Sequence, residues 1–201
     1  MKYISTRGGE REGVSAAYAI KTGLAKDGGL YMPDEIPTLD LDEIEALSEL
    51  DYPERAASVL FKFLDGFEYE ELYEDAVGAY GGGKFNPSPA PLTDLGDGRY
   101  MLELWHGPTC AFKDMALQIM PRLFVRAQRK CGEKRTALIL VATSGDTGKA
   151  ALEGYRDVDG TMVEVFYPTG GVSDIQKLQM QTQEGKNLSV LGIRGNFDDA
   201  K

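Results

Sequence analysis

The sequence is poor in the residues on which several chemistries depend. It holds one histidine, two cysteines and one tryptophan in 201 residues. A single histidine excludes a His–His metal pair, and any Ser–His–acid triad would have to use His106. Cys110 stands in a Gly-Pro-Thr loop and Cys131 ends a helical pattern, too little for a disulfide framework and suited to a reducing cytoplasm. No apolar run approaches the ~20 residues of a membrane span. Met1-Lys2-Tyr3-Ile4-Ser5-Thr6-Arg7 lacks the apolar core of a signal peptide. Lys and Arg number 22 against 32 Asp and Glu, a formal net charge of −10, and no basic arm is present. Nucleic acid is a poor partner for such a chain, because phosphate contacts need clustered cations. With 42% hydrophobic and 27% charged residues the composition is that of a globular protein. A chain of this size can bury roughly 70% of its unfolded surface, so a small-molecule function is the default.

The chain divides into three segments. Residues 1–85 read as a helical domain. Pro53 suits a first helical turn, Ala56, Val59, Leu60, Phe63 and Leu64 follow at helical spacing, and Gly66 is a stop. Tyr69, Leu72, Tyr73, Ala76, Val77 and Tyr80 fall on one face of a second helix, with the acids Glu70, Glu71, Glu74 and Asp75 on the other, solvated face. The tyrosine stripe is read as core packing. Gly81-Gly82-Gly83 and Asn86-Pro87-Ser88-Pro89-Ala90-Pro91 mark a boundary. Residues 86–133 then give a hairpin, Pro91 to Leu95 and Tyr100 to Trp105 about a Gly96-Asp97-Gly98 turn, a loop from His106 to Phe112, and a long helix kinked at Pro121. Residues 134–201 read as βαβαβ. Thr136–Val141 is a strand buried on both faces, with further strands at 161–166 and 188–193 and helices at 147–155 and 173–183. Asp198-Asp199-Ala200 starts another helix, as in a chain cut short.

Two segments approach the nucleoside-triphosphate loop and fail it. Gly78–Lys84 follows a helix and has Phe85 where a hydroxyl belongs, whereas Gly148-Lys149 has Thr143 for the first glycine and Ala150 for the hydroxyl. Thr143-Ser144-Gly145-Asp146-Thr147-Gly148 instead has the form of an anion cradle. It lies at the carboxyl end of a parallel strand, opens a helix, and adds the hydroxyls of Ser144 and Thr147 to unpaired backbone N–H groups. The same residues also fit a plain helix cap in which Ser144 or Asp146 satisfies its own N-terminus. Lys113, in Ala111-Phe112-Lys113-Asp114, opens a helix after two apolar residues. That setting favours the neutral amine that carbonyl and pyridoxal Schiff bases need, while a solvated lysine beside Asp114 fits too. His106 reads as a hydrogen-bonded structural residue, Cys110 as a small buried thiol, and Asp40–Glu45 as a solvated helix face.

Ser5-Thr6-Arg7-Gly8, His106-Gly107-Pro108-Thr109-Cys110-Ala111-Phe112-Lys113-Asp114, Ala142 to Gly148 and Gly195-Asn196-Phe197-Asp198-Asp199 together resemble the bacterial threonine synthase family, along all 201 residues. The resemblance implies an α/β fold: a helical N-terminal domain, then part of a fold-type II pyridoxal-phosphate domain with a small three-layer βαβαβ parallel-sheet subdomain. It implies that O-phospho-L-homoserine and water give L-threonine and phosphate, with pyridoxal 5'-phosphate as electron sink. Lys113 would form the Schiff base and carry protons. Ser144, Gly145, Asp146 and Thr147 would receive the substrate carboxylate, Asp146 would face the ring hydroxyl, and Phe112 and His106 would flank the lysine. Relatives outside this family usually carry Asn at the position of Asp146, which favours threonine synthase over cysteine synthase. The glycine-rich loop for the cofactor phosphate and the pyridine-nitrogen partner would lie past Lys201, leaving this chain inactive without its C-terminal part. A related phospho-lyase releasing a keto acid, and a non-catalytic anion-binding or cofactor-binding module, are the competing expectations.

Overall fold

The computed structural model describes residues 1–9 and 12–201. The chain forms two compact units, Met1–Gly82 with Arg122–Lys134, and Gly83–Pro121 with Arg135–Lys201. Residues 122–134 therefore group with the first unit, whereas the sequence pattern sets 122–133 in the middle segment and 134 at the start of the third.

The first unit is helical apart from one feature that no periodicity announces. Strands β1 (Tyr3–Ser5) and β2 (Tyr31–Pro33) pair antiparallel, Ile4 opposite Met32. Three residues are too few to show alternation. Helices α1 (Ala16–Thr22), α2 (Leu41–Ser48), α3 (Tyr52–Phe63) and α4 (Tyr69–Tyr80) follow. Asp40 with Glu43 and Asp51 with Glu54 form capping boxes that start α2 and α3, each satisfying two orphan donors. Pairing of α3 with α4 buries Ala57, Leu72, Ala76 and Ala79, and the Tyr52 and Tyr80 rings meet edge-on at 5.0 Å.

The buried face of α4 is rotated from the expected one. Tyr73 and Val77 are exposed, whereas Asp75 is 5% exposed. The reason lies in α6 (Met120–Lys130), which presents Arg122, Arg126 and Lys130 at successive turns. Arg126 binds Asp75 at 2.6 Å and Glu74 at 2.7 Å, and Lys130 binds Glu71 at 2.7 Å. Gly78 completes the fit, since a Cβ there would lie 2.3 Å from the Arg122 guanidinium. Burial still pushes the Asp75 carboxyl above its ordinary value despite Arg126.

In the second unit, β3 (Leu92–Gly96) and β4 (Arg99–Leu102) form the hairpin, ending three residues before Trp105. Asp97 and Gly98 both take positive φ (53° and 71°), the primed turn that matches strand twist. The single kinked helix is in fact two, α5 (Asp114–Leu117) and α6. Pro121 has no N–H to give the Leu117 carbonyl. That carbonyl instead faces Gly154, where a Cβ would sit only 1.9 Å away.

Strands β5 (Ala137–Ala142), β6 (Thr161–Pro168) and β7 (Leu188–Ile193) form a parallel sheet in the order β5-β6-β7. Helices α7 (Asp146–Tyr155) and α8 (Asp174–Gln181) connect them, and α9 (Phe197–Ala200) follows. Val163, Val165 and Tyr167 share a core with Ala150, Leu152 and Tyr155 of α7. The expected two-sided burial of β5 does not occur. Leu138 and Leu140 are 56% and 63% exposed, and Met162 opposite Leu138 and Leu191 on β7 are exposed on the same face, which nothing among the described residues covers.

Candidate active site

Both loops singled out by residue type lie in the second unit, each ahead of a helix that starts at its end. The loop carrying Lys113 is held from both sides. At its start, the His106 ring contacts Glu103 Oε2 through Nε2 at 2.6 Å and the Asn86 carbonyl through Nδ1 at 2.8 Å. Thr93 donates its hydroxyl to Glu103 Oε1 at 2.5 Å, and these two bonds hold the Glu103 carboxyl below its ordinary value. At its end, Asp114 is fully buried and accepts from the Thr109 N–H at 2.8 Å and the Thr109 hydroxyl at 2.7 Å. Burial outweighs those bonds and pushes the Asp114 carboxyl up. Between these anchors Gly107 threads a gap where a Cβ would come within 2.5 Å of the Asp114 carboxylate and 2.8 Å of the Phe85 ring.

Lys113 itself is half-buried, with its Nζ 4.5 Å from the centre of the exposed Phe112 ring. Among the described residues no carboxylate lies within ion-pair distance of it, so the solvated pairing with Asp114 is not formed. Asp114 turns inward to Thr109 instead. Cys110, expected buried, is exposed and sits at φ 58°, its N–H bonded to the Gly107 carbonyl at 3.1 Å. The Cys110 side chain is directed out because the loop turns in the left-handed region there.

The second loop, 143–148, caps its helix through a residue other than the two expected. The capping atom belongs to Thr143, which is 2% exposed. Its Oγ1 accepts from Gly145 N–H at 3.0 Å and Gly148 N–H at 2.9 Å. Gly148 is required beneath it, since a Cβ would lie 2.5 Å from the Thr143 methyl. Neither Ser144 nor Asp146 caps α7. Ser144 and Thr147 are exposed, and their hydroxyls make no hydrogen bond among the described residues. Thr143 thus takes the Gly145 and Gly148 N–H groups, and the Ser144 and Thr147 hydroxyls are left facing solvent.

Sequence reasoning missed Gln176. Ser173 and Gln176 form the capping box of α8, a legible spacing, but the same amide also donates to Asp146 Oδ1 at 2.8 Å. It occupies the side of Gly145 that a Cβ would fill, 2.4 Å away, with Gly145 at φ 146°. Lys149 points elsewhere: its Nζ donates to the Gln183 side-chain oxygen Oε1, and burial pushes its ammonium below the ordinary value. Helix α5 packs on α7, and Asp114 senses the charges of Lys149 and Glu153. No hydrogen bond joins Lys113 to Ser144, Gly145, Asp146 or Thr147 among the described residues. At the far end, Asn196 caps α9 and the Asp199 carboxylate fills the open side of Gly195.

No described helix is long and apolar enough to cross a membrane, and no cluster of three or more His, Cys, Asp or Glu able to hold a metal occurs among the described residues.

A family model described as the threonine synthase N terminus matches residues 2–80. Threonine synthase of Pseudomonas aeruginosa is 40% identical over all of this chain and 42% of its own length. The enzyme of Schizosaccharomyces pombe is 41% identical over all of this chain and 40% of its own. Among solved structures, the pyridoxal-phosphate-bound threonine synthase from Brucella melitensis superimposes with a TM-score of 0.91 at 39% identity, covering 100% of this chain and 42% of that one. The chain therefore spans about two-fifths of the length of these relatives. Along its whole length the chain is similar in sequence and fold to the N-terminal portion of threonine synthases.

Proposed function

We propose that this chain supplies the cofactor lysine and the substrate-carboxylate loop of a pyridoxal-phosphate-dependent threonine synthase, which converts O-phospho-L-homoserine and water to L-threonine and phosphate. The observation that carries the reading is the division of labour at 143–148: Thr143 takes the capping duty, and Ser144 and Thr147 keep their donors exposed. A carboxylate is the natural occupant of donors at a helix start. Asp146, held by Gln176, would accept from a hydroxyl of the cofactor ring rather than meet a second anion.

The residues present fit pyridoxal phosphate in part. Lys113 offers an amine without an ion pair on a doubly anchored loop, with the Phe112 ring beside it. When bound, the cofactor ring withdraws electrons from the carbons next to the substrate nitrogen. Lys113 would hold the cofactor through its Nζ and would then be the group that moves a proton at the substrate. Ser144 and Thr147 would orient the carboxylate, since the Gly145 N–H is already taken by Thr143 Oγ1. The cofactor phosphate has no cradle at Gly195, whose open side Asp199 fills with negative charge. The phosphate loop and the pyridine-nitrogen partner are assigned to the part of the longer relatives that this chain does not span. On its own, the chain is expected to hold the cofactor reversibly and to release no phosphate.

The test is borohydride reduction of the protein with pyridoxal phosphate, followed by peptide mapping. The pyridoxyl group should be found on the peptide containing Lys113. An adduct on Lys149 or Lys177 in its place overturns the assignment.

A further inference from the structure

His106 has no duty in the proposed chemistry, yet both of its ring nitrogens are engaged. We infer that His106 is the positioning residue for Lys113, bridging the Glu103 carboxylate and the Asn86 carbonyl to set the start of the loop whose end presents the amine. The inference rests on Lys113 being the cofactor lysine.

Both groups that face the ring nitrogens are acceptors. Nε2 meets the Glu103 carboxylate at 2.6 Å, and Nδ1 meets the Asn86 carbonyl at 2.8 Å. The ring therefore bridges two oxygens that lie on separate segments of the chain. Glu103 is the charged group that faces it, oriented in turn by the Thr93 hydroxyl, and the Trp105 ring lies alongside at 5.6 Å between centres. The His106 side chain is only 18% exposed and Glu103 19%, so the charge-assisted bond is partly shielded from water.

The backbone doubles the connection, since the Asn86 N–H donates to the His106 carbonyl at 3.2 Å. Residue 106 is thereby fixed to the 86 segment through ring and main chain alike. The chain immediately after it has no slack. Gly107 lies against Phe85 on one side and the Asp114 carboxylate on the other, at separations that admit no Cβ. Asp114 is tied to Thr109 within the same loop, and its preceding neighbour is Lys113. A shift at residue 106 must pass through Gly107 to Asp114, and hence to the amine, because close-packed groups cannot absorb it locally.

The experiment measures how fast borohydride-trapped pyridoxal phosphate accumulates on Lys113 in the parent, in His106→Gln and in Glu103→Gln. Each is normalised to the folded fraction from near-ultraviolet circular dichroism. His106→Gln keeps a donor at one side only and should slow capture at Lys113 by roughly ten- to a hundredfold, the cost of about an ångström of misplacement. Glu103→Gln should slow it in the same direction and serves where His106→Gln fails to fold. Asp65→Asn, which breaks a remote ion pair with the Met1 ammonium, should leave it unchanged. In the parent, nitrogen-15 spectra should show the His106 ring nitrogens hydrogen-bonded, and the Glu103→Gln spectrum should shift at Nε2. Parental capture rates in either folded variant, or a His106 ring signal that Glu103→Gln leaves unmoved, overturn the inference. Absence of any adduct on Lys113 in the parent instead overturns the lysine reading, and the inference with it.

Discussion

The two loops of the candidate site have the same plan, a loop that opens a helix, and spend their polar groups in opposite ways. Around Lys113 the anion turns inward: Asp114 is buried against Thr109, and the amine beside it is left without a counter-charge. At 143–148 the hydroxyl nearest the strand turns inward: Thr143 caps α7, and the later hydroxyls face solvent. In each case one residue satisfies the local backbone so that its neighbour need not. On the proposed reading, the group meant to react or bind is freed by a structural residue close to it in sequence, so stability and function should be separable in each loop.

The strongest challenge to this division is Asp114→Ala. It leaves the buried Thr109 N–H and hydroxyl without an acceptor, at roughly 1–3 kcal/mol for each unsatisfied group. Unfolding should therefore become easier by about 2–5 kcal/mol in a denaturant titration. A loss below about 1 kcal/mol would mean that the loop is not organised around this carboxylate.

Thr143→Val comes next. Valine keeps the volume but removes the oxygen that two N–H groups share, and loss of a cap costs about 1–2 kcal/mol. If stability is instead unchanged, Ser144 or Asp146 has taken over the cap, and the open donors of the cradle are dispensable to the fold only by that substitution. Hydrogen exchange at Gly145 and Gly148 distinguishes the two outcomes.

How much of this is legible in the sequence depends on whether the partner lies nearby along the chain. Strands β5, β6 and β7 and helices α7 and α8 are visible as apolar runs and periodic stretches, and both loops stand out by residue type. The partner of Asp75 is not visible, because Arg126 is 51 positions away and an acid on a helix resembles a solvated one. Gln176 is readable as the third residue of a capping box but not as a donor to Asp146, 30 positions earlier. Thr143 escapes notice as the cap because its side chain reaches forward over Ser144 rather than sitting at the usual cap position. The uncovered face of β5 has the opposite cause, since an apolar run reports what a strand could bury and not what lies against it.

A smaller effect separates the two ends of the lysine loop by pH. Burial pushes Asp114 above its ordinary 3.8, so folding favours its protonated form, and the stability it contributes is full below 3.8 and lost as pH rises through the folded value. Thr93 and His106 hold Glu103 below its ordinary 4.5, so its contribution is present above 4.5 and lost as pH falls through the folded value. Carboxyl-carbon titration by NMR should place Asp114 above and Glu103 below those references. If both move the same way, the inward and outward anchors are not electrostatically distinct.

The smallest expected effect on stability is the most informative about function. Thr147 is exposed, and its hydroxyl bonds to nothing among the described residues. Thr147→Val should therefore change unfolding free energy by no more than about 0.5 kcal/mol, unlike Thr143→Val at the start of the same loop. Its effect should appear only with a ligand. A hydrogen bond to a carboxylate contributes about 1.5–3 kcal/mol, so affinity for O-phospho-L-homoserine should fall roughly ten- to over a hundredfold. Capture of pyridoxal phosphate by Lys113 should continue at the parental rate, because the amine and its loop are untouched. A destabilisation matching that of Thr143→Val would show that Thr147 also caps the helix and would erase the contrast between inward and outward hydroxyls. Slower cofactor capture with unchanged substrate affinity would instead assign the loop to the cofactor phosphate, leaving the carboxylate to be bound by other residues.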